Sequence, residues 1–389
     1  MLALRLARGS HPLVQVRRLL VASASAGVGF LLLSTLGHAA GHPAQAAGSV
    51  LRLLWCSVPL AATVQFAVAV ARTDPSTRPR TGLSSLGLGP IRLSVLAAVS
   101  TAVATTLGSM VALLFFLHLR GDLTGLPFDG GAAAFLGAGT PLPLAAALVL
   151  LALVPVSASV ASALALRSRP TAPVRDEPFA AEEPPSPVPA PAGLPWGVAL
   201  AAAGLAVEAY ASRGSGGSPF PLPGRLDSTP AGVLAGWVLT ATGLALAGPG
   251  LTHLCGRLLQ SARPGAVRLL AGRVLMDEAR RIGRPLGIVC AVVSGAVAAM
   301  ALYQPGARPY GPLTALGAVL VLGCTTASLL TSAIEARQDR ARNAETLHRM
   351  GAHASVLRSA TALRAVVLVL VFAPLTWAIA QLAALPLSG

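Results

Sequence analysis

The chain has 389 residues, of which 54% are hydrophobic and only 11% charged, and its formal net charge is +15. Soluble globular proteins carry about 25% charged residues, so this composition excludes a soluble globular domain and indicates an integral membrane protein. All 29 basic residues are arginine; without lysine the chain has neither a Walker A loop, whose lysine reaches the β- and γ-phosphates, nor a lysine Schiff base.

Crossing the hydrocarbon takes roughly 20 apolar residues in a helix. Runs of that kind are predicted at 19–36, 53–71, 93–117 and 142–166, then at 194–210 and 231–251, and finally at 285–303, 313–334 and 365–385. The expected fold is therefore an all-α integral membrane protein of about nine transmembrane helices in two related units, grouped 4 + 2 + 3. Many runs are rich in alanine and glycine, which lets helix backbones approach closely in lipid. Arg17 and Arg18 precede the first run, and an alanine-rich segment at 39–47 follows it, as in a signal peptide. The run of about 18 residues exceeds the 7–15 of a signal core, so a retained anchor is expected.

Basic residues concentrate on cytoplasmic loops. A cytoplasmic N-terminus leaves Arg52, Arg120, Arg213, Arg225 and Arg308 on the outer side and puts the other 24 of the 29 arginines inside. A multi-pass protein of the cell membrane is expected. The positive charge then records topology and attracts anionic membrane lipids of the inner leaflet; nucleic-acid binding is not expected.

The organisation expected is a four-span unit at 1–169, a cytosolic linker at 170–193, two intervening spans at 194–252, and a second unit of three spans at 253–389. Nine prolines fall between Arg167 and Pro195, together with Asp176, Glu177, Glu182 and Glu183. That stretch has too little apolar surface to fold. On the outer side no loop exceeds about 25 residues, too short for a folded domain.

Catalytic chemistry finds no foothold. There is no G-x-S-x-G elbow and no H-E-x-x-H motif, so no catalytic residue is expected. Cys56, Cys255, Cys290 and Cys324 lie in or at the ends of spans without a C-x-x-C pair. No two histidines are placed as facing ligands on one helix except the pair His348 and His353, so neither a metal nor a cofactor is expected. Glu208 is the one acidic residue within a predicted span. An intramembrane carboxylate is a functional suspect, but its place near the outer end, with Arg213 close by, would let it snorkel or pair. So few ionisable groups in the membrane argue against a self-powered carrier.

Two stretches share the pattern Arg-x-x-x-x-Leu-x-x-(Leu or Met)-Gly. One is Arg78, Leu83, Leu86 and Gly87; the other, 264 residues later, is Arg342, Leu347, Met350 and Gly351. Each lies on a basic inner connection ahead of a span, as expected of a duplicated unit. Arg8, Pro12 and Leu13 ahead of the first span likewise match Arg281, Pro285 and Leu286 ahead of the seventh. Leu347 and Met350, at i and i+3, share one face of a short helix that Gly351 would end, whereas Pro75, Pro79 and Pro90 interrupt the first copy. Such a helix can fill a groove on a cytosolic partner or lie on the inner leaflet; its recurrence in equivalent places favours the partner.

In these features the chain resembles the FtsX-like family of ABC transporter permeases, most specifically through Leu83-Ser-Ser-Leu86-Gly87 and Leu347-His-Arg-Met350-Gly351. The resemblance implies that both segments are coupling helices docking on a separate, dimeric cytosolic P-loop ATPase, and that the chain is a permease subunit without ATPase activity of its own. The family's large outer domain and even number of spans are missing. Rival readings are a non-transporting membrane scaffold or regulator and, further off, a secondary carrier using Glu208.

Overall fold

The computed structural model describes residues 12–73, 90–123, 132–167, 191–213, 219–221, 228–261, 265–302, 311–349 and 353–385. Among them, nine helices are long and apolar enough to cross a membrane, each coinciding with a predicted run. The fold is all-α apart from one small ribbon. In chain order the elements are α1 (Pro12–Gly41), a 3-10 turn (Pro43–Gln45), α2 (Ala46–Trp55), α3 (Ser57–Thr73), α4 (Pro90–Arg120), the single turn α5 (Ala133–Leu136) and α6 (Leu144–Arg167). Then come α7 (Gly193–Arg213), strands β1 (Pro219–Pro221) and β2 (Ser228–Pro230), α8 (Ala231–Ser261), α9 (Ala266–Leu302), α10 (Pro312–Arg349) and α11 (Ala354–Ala384). The strands pair antiparallel, Phe220 opposite Thr229.

The second span is made of α2 and α3, broken at Cys56. Pro59 has no N–H to give the carbonyl of Trp55 four residues back. The Cys56 amide instead forks onto the carbonyls of Arg52 and Leu53, at 3.2 and 3.1 Å.

Two compact units emerge: residues 1–170 with 310–328, and residues 171–309 with 329–389. The intervening spans α7 and α8 thus fall in one unit with α9 and α11, and α10 contributes residues to both. These boundaries differ from a division into 1–169, 194–252 and 253–389.

In the first unit, α1 packs on α4, and α4 on α6. Their contacts are small and polar. Ser25 Oγ donates to the Thr105 carbonyl at 2.7 Å, and Ser109 Oγ donates to the Leu151 carbonyl at 3.3 Å. That second bond has a clear cause: Pro155 inside α6 cannot donate to Leu151, so a side chain from a neighbouring helix satisfies the orphaned oxygen. Apolar groups fill the remaining space, as where Phe66 and Ala67 of α3 meet Val21 of α1 and Cys324 of α10. Outward, α4 presents Val103, Leu107, Met110 and Leu114, all exposed, while Thr105 and Ser109 are buried. Polar residues inside and large aliphatics outside suit a molecule whose solvent is hydrocarbon.

In the second unit, backbones meet almost directly. A Cβ at Gly243 of α8 would stand 2.6 Å from the carbonyl oxygen of Gly197 on α7, and one at Gly283 of α9 would stand 2.7 Å from that of Gly248 on α8. Because the obstacles are main-chain atoms, they cannot rotate away. We expect Gly243→Val to destabilise the purified protein by about 1–3 kcal/mol, the usual result of overpacking, lowering its Tm in detergent. Gly295→Val, where nothing lies within 4 Å of the new Cβ, should leave the Tm unchanged.

Candidate functional site

At 37 and 38 residues, α9 and α10 are each about 55 Å long at 1.5 Å per residue, far more than the ~30 Å hydrocarbon. The excess is charged. In α9 it is the N-terminal stretch with Arg268, Arg273, Asp277, Glu278, Arg280, Arg281 and Arg284; in α10 it is the stretch after Ile334. The seventh apolar run begins at 285, whereas the helix begins at Ala266. The stretch ahead of 285 is helical because Val267, Ala271, Leu275 and Ala279 recur every four residues and make one apolar stripe. Ala271 and Leu275 pack with Leu259 of α8 and Ala360 of α11.

The charged faces then pair. Arg281 Nη2 of α9 donates to Glu335 Oε1 of α10 at 2.8 Å. Arg340 of α10 returns the link, its Nε 3.1 Å from Glu278 Oε1 of α9, while the same nitrogen donates to the Ala336 carbonyl at 2.9 Å. Arg364 of α11 completes the cluster and is only 8% exposed. It donates from Nε to the Ala360 carbonyl at 3.2 Å and from Nη2 to Thr361 Oγ1 at 3.0 Å. Its Nη1 is buried and has no hydrogen-bond partner among the described residues. Glu278 feels the charges of Arg340, Arg364 and Arg281 together. Two ion pairs thus tie α9 to α10 at the root of the charged extension, with the charge of Arg364 on α11 acting on Glu278.

The first unit has a simpler counterpart. Arg17 Nη1, near the start of α1, donates to Thr73 Oγ1 at the end of α3 at 3.2 Å. Arg281 stands 264 residues after Arg17, the same separation as the two signatures. In each unit an arginine on the first helix of the repeat reaches the second, at the end of α3 in one and at Glu335 within α10 in the other; Arg8, which matches Arg281 by motif, lies outside the described residues. Neither pairing shows in the sequence, because each partner lies more than fifty residues away; the four-residue apolar stripe of α9 was the available signal.

The remaining predicted residues are placed as follows. Arg78, Leu83, Leu86 and Gly87 lie outside the described residues, as do Met350 and Gly351. Arg342 and Leu347 belong to α10, whose helix runs unbroken to Arg349. The second handle is therefore the continuation of the eighth span rather than a separate short helix. A continuous helix follows because residues 335–349 contain neither glycine nor proline.

Glu208 does not snorkel. It is 1% exposed, its Oε1 accepts a hydrogen bond from Thr240 Oγ1 of α8 at 3.2 Å, and its side chain lies against Gly236 of the same helix. The expectation that only His348 and His353 could face each other also fails. The rings of His38 and His42 stack with centroids 4.3 Å apart, because α1 runs on to Gly41 and brings i and i+4 together. Among the described residues, no group of three or more His, Cys, Asp and Glu side chains could hold a metal ion.

These features define a multi-pass, all-α membrane protein whose charged helix ends are braced by ion pairs. No family model, curated protein or solved structure matches the chain.

If the Glu278–Arg340 pair braces α10, a double-mutant cycle should detect it. Glu278→Gln and Arg340→Gln should each lower the Tm. The double variant should lose less than the two singly, leaving a coupling of about 0.5–3 kcal/mol.

Proposed function

We propose that this chain is the membrane subunit of an ATP-driven transporter or transmission device, resembling FtsX-like permeases, and that a separate P-loop ATPase supplies the energy. One observation carries the reading: α10 leaves its apolar span and continues as a charged helix to Arg349, tied at its root to α9 through Arg281–Glu335 and Glu278–Arg340. These two pairs give force on the extension a route into α9 and so into the spans. Arg342 and Leu347 lie on that extension, and the signature they open, which Met350 and Gly351 complete outside the described residues, sets apolar residues among arginines in a pattern suited to a groove rimmed by acidic residues.

Without lysine the chain forms no Walker A loop, which supports a separate ATPase. The repeated signature Arg78, Leu83, Leu86 and Gly87 offers a second handle, and two handles fit a dimeric ATPase. Closure of that dimer would draw the handles together and rock the bundles. In this reading the protein lies in the cell membrane with its N-terminus and the 170–193 linker in the cytoplasm, as the positive-inside bias supports.

The test is purification of tagged protein from its own membranes. We expect an ATPase identified by G-x-x-x-x-G-K-(S/T) peptides and by nucleotide hydrolysis, and we expect Leu347→Asp with Met350→Asp to remove it while the membrane level of the chain holds. If the double variant retains the ATPase, or wild type carries none, the scaffold or regulator reading replaces this one. Orientation is read separately: green fluorescent protein inserted in the 170–193 linker should fluoresce, and alkaline phosphatase there should be inactive.

A further inference from the structure

We propose that Glu208 and Thr240 form a proton-binding site inside the α7–α8 helix pair, with Glu208 carried as the neutral acid. This inference does not depend on the ATPase reading.

The site begins with close packing. Gly197 and Gly204 of α7 face Gly243 and Gly236 of α8, and a Cβ at Gly236 would stand 2.7 Å from the Gly204 carbonyl oxygen and still closer to Glu208 Cγ. Only a glycine at 236 leaves room for the glutamate, so the pair is built around the carboxyl group. Glu208 is among the largest fully buried side chains of the described residues. One oxygen accepts from Thr240 at 3.2 Å; the other is buried with no partner among the described residues. Glu208 is also about 7 Å along the helix from Arg213, the last residue of α7, at 1.5 Å per residue.

An ionised carboxylate held this way would keep one donor where water supplied several, at a cost large enough that buried acids take up a proton instead. Among the described side chains, none is a cation paired with this carboxyl group. From α8 the facing residues are Gly236 and Thr240; its ionisable side chains begin at His253, 13 residues beyond Thr240 and about 20 Å along the helix. From α11, which also touches α7, there is no ionisable residue after Arg364. On α7 itself Tyr210 points outward, 84% exposed.

A metal cation is a poor alternative. Hard cations such as calcium take about six to eight oxygens, and here Glu208 and Thr240 are the polar side chains at hand. A proton needs only the carboxyl oxygen. Thr240 then marks the carbonyl oxygen of the acid, and the O–H is left to the other. Because the backbones are in van der Waals contact, water reaches the acid only when α7 and α8 separate, so proton exchange reports opening of this pair.

Infrared spectroscopy of the full chain in lipid tests this directly. At neutral pH we expect the C=O stretch of a protonated carboxylic acid, lowered in frequency in D2O and lost in Glu208→Gln, which keeps the shape of the side chain. Thr240→Val removes the donor to that carbonyl and should raise the band's frequency. Sodium should leave the band untouched. The proposal is overturned if wild type shows no such band at neutral pH, if the band survives in Glu208→Gln, if Thr240→Val does not move it, or if added sodium abolishes it.

Discussion

Between helices in hydrocarbon there is no hydrophobic drive to associate, because a leucine against lipid is as well placed as a leucine against leucine. Everything else in this molecule follows from that constraint. Packing must come from close backbone approach and from hydrogen bonds that lipid cannot supply. Hence Gly243 lies on Gly197 and Gly283 on Gly248, Ser25 reaches Thr105, and Ser109 reaches the carbonyl that Pro155 leaves open. Large aliphatic residues such as Leu107, Met110 and Leu114 stand outside, exposed.

The same scarcity of polar partners gives the few charged groups their weight. Where α9 and α10 run past the hydrocarbon, Glu278, Arg281, Glu335 and Arg340 pair in two crossing bridges. Both bridges are partly exposed, so each adds modestly to stability, and their main effect is to fix which faces of α9 and α10 meet. Arginine suits this duty, since its planar fork stays charged and serves several acceptors at once; the Arg340 Nε meets both Glu278 and the Ala336 carbonyl. Glu208 is the opposite case, an acid with one donor and no paired cation among the described side chains, which the proposed neutral form would resolve.

Legibility in the sequence tracked the range of the interaction. All nine spans could be read because twenty apolar residues in a row are a local signal. The start of α9, ahead of the apolar run at 285, is hard to read as helix, since arginines at 268, 273, 280, 281 and 284 mask a four-residue apolar stripe that matters only once α8 and α11 lie against it. The stacking of His38 on His42 was missed because the helix end falls at Gly41 rather than Leu36. Glu208 stands out in the sequence as the one acid within a predicted span, whereas its direction depends on Gly236 of another helix and is not legible there.

By itself the sequence determined the membrane class, the nine crossings, the missing lysine and the repeated Arg-to-Gly signature, all properties of composition or of spacing along the chain. Only the tertiary structure decided which helices share a unit, that the second handle continues α10, that Arg281 meets Glu335 and Arg340 meets Glu278, and that Glu208 turns inward to Thr240. The reason is physical. In lipid, helix pairing depends on which small and polar side chains fit face to face, and that complementarity belongs to two segments at once.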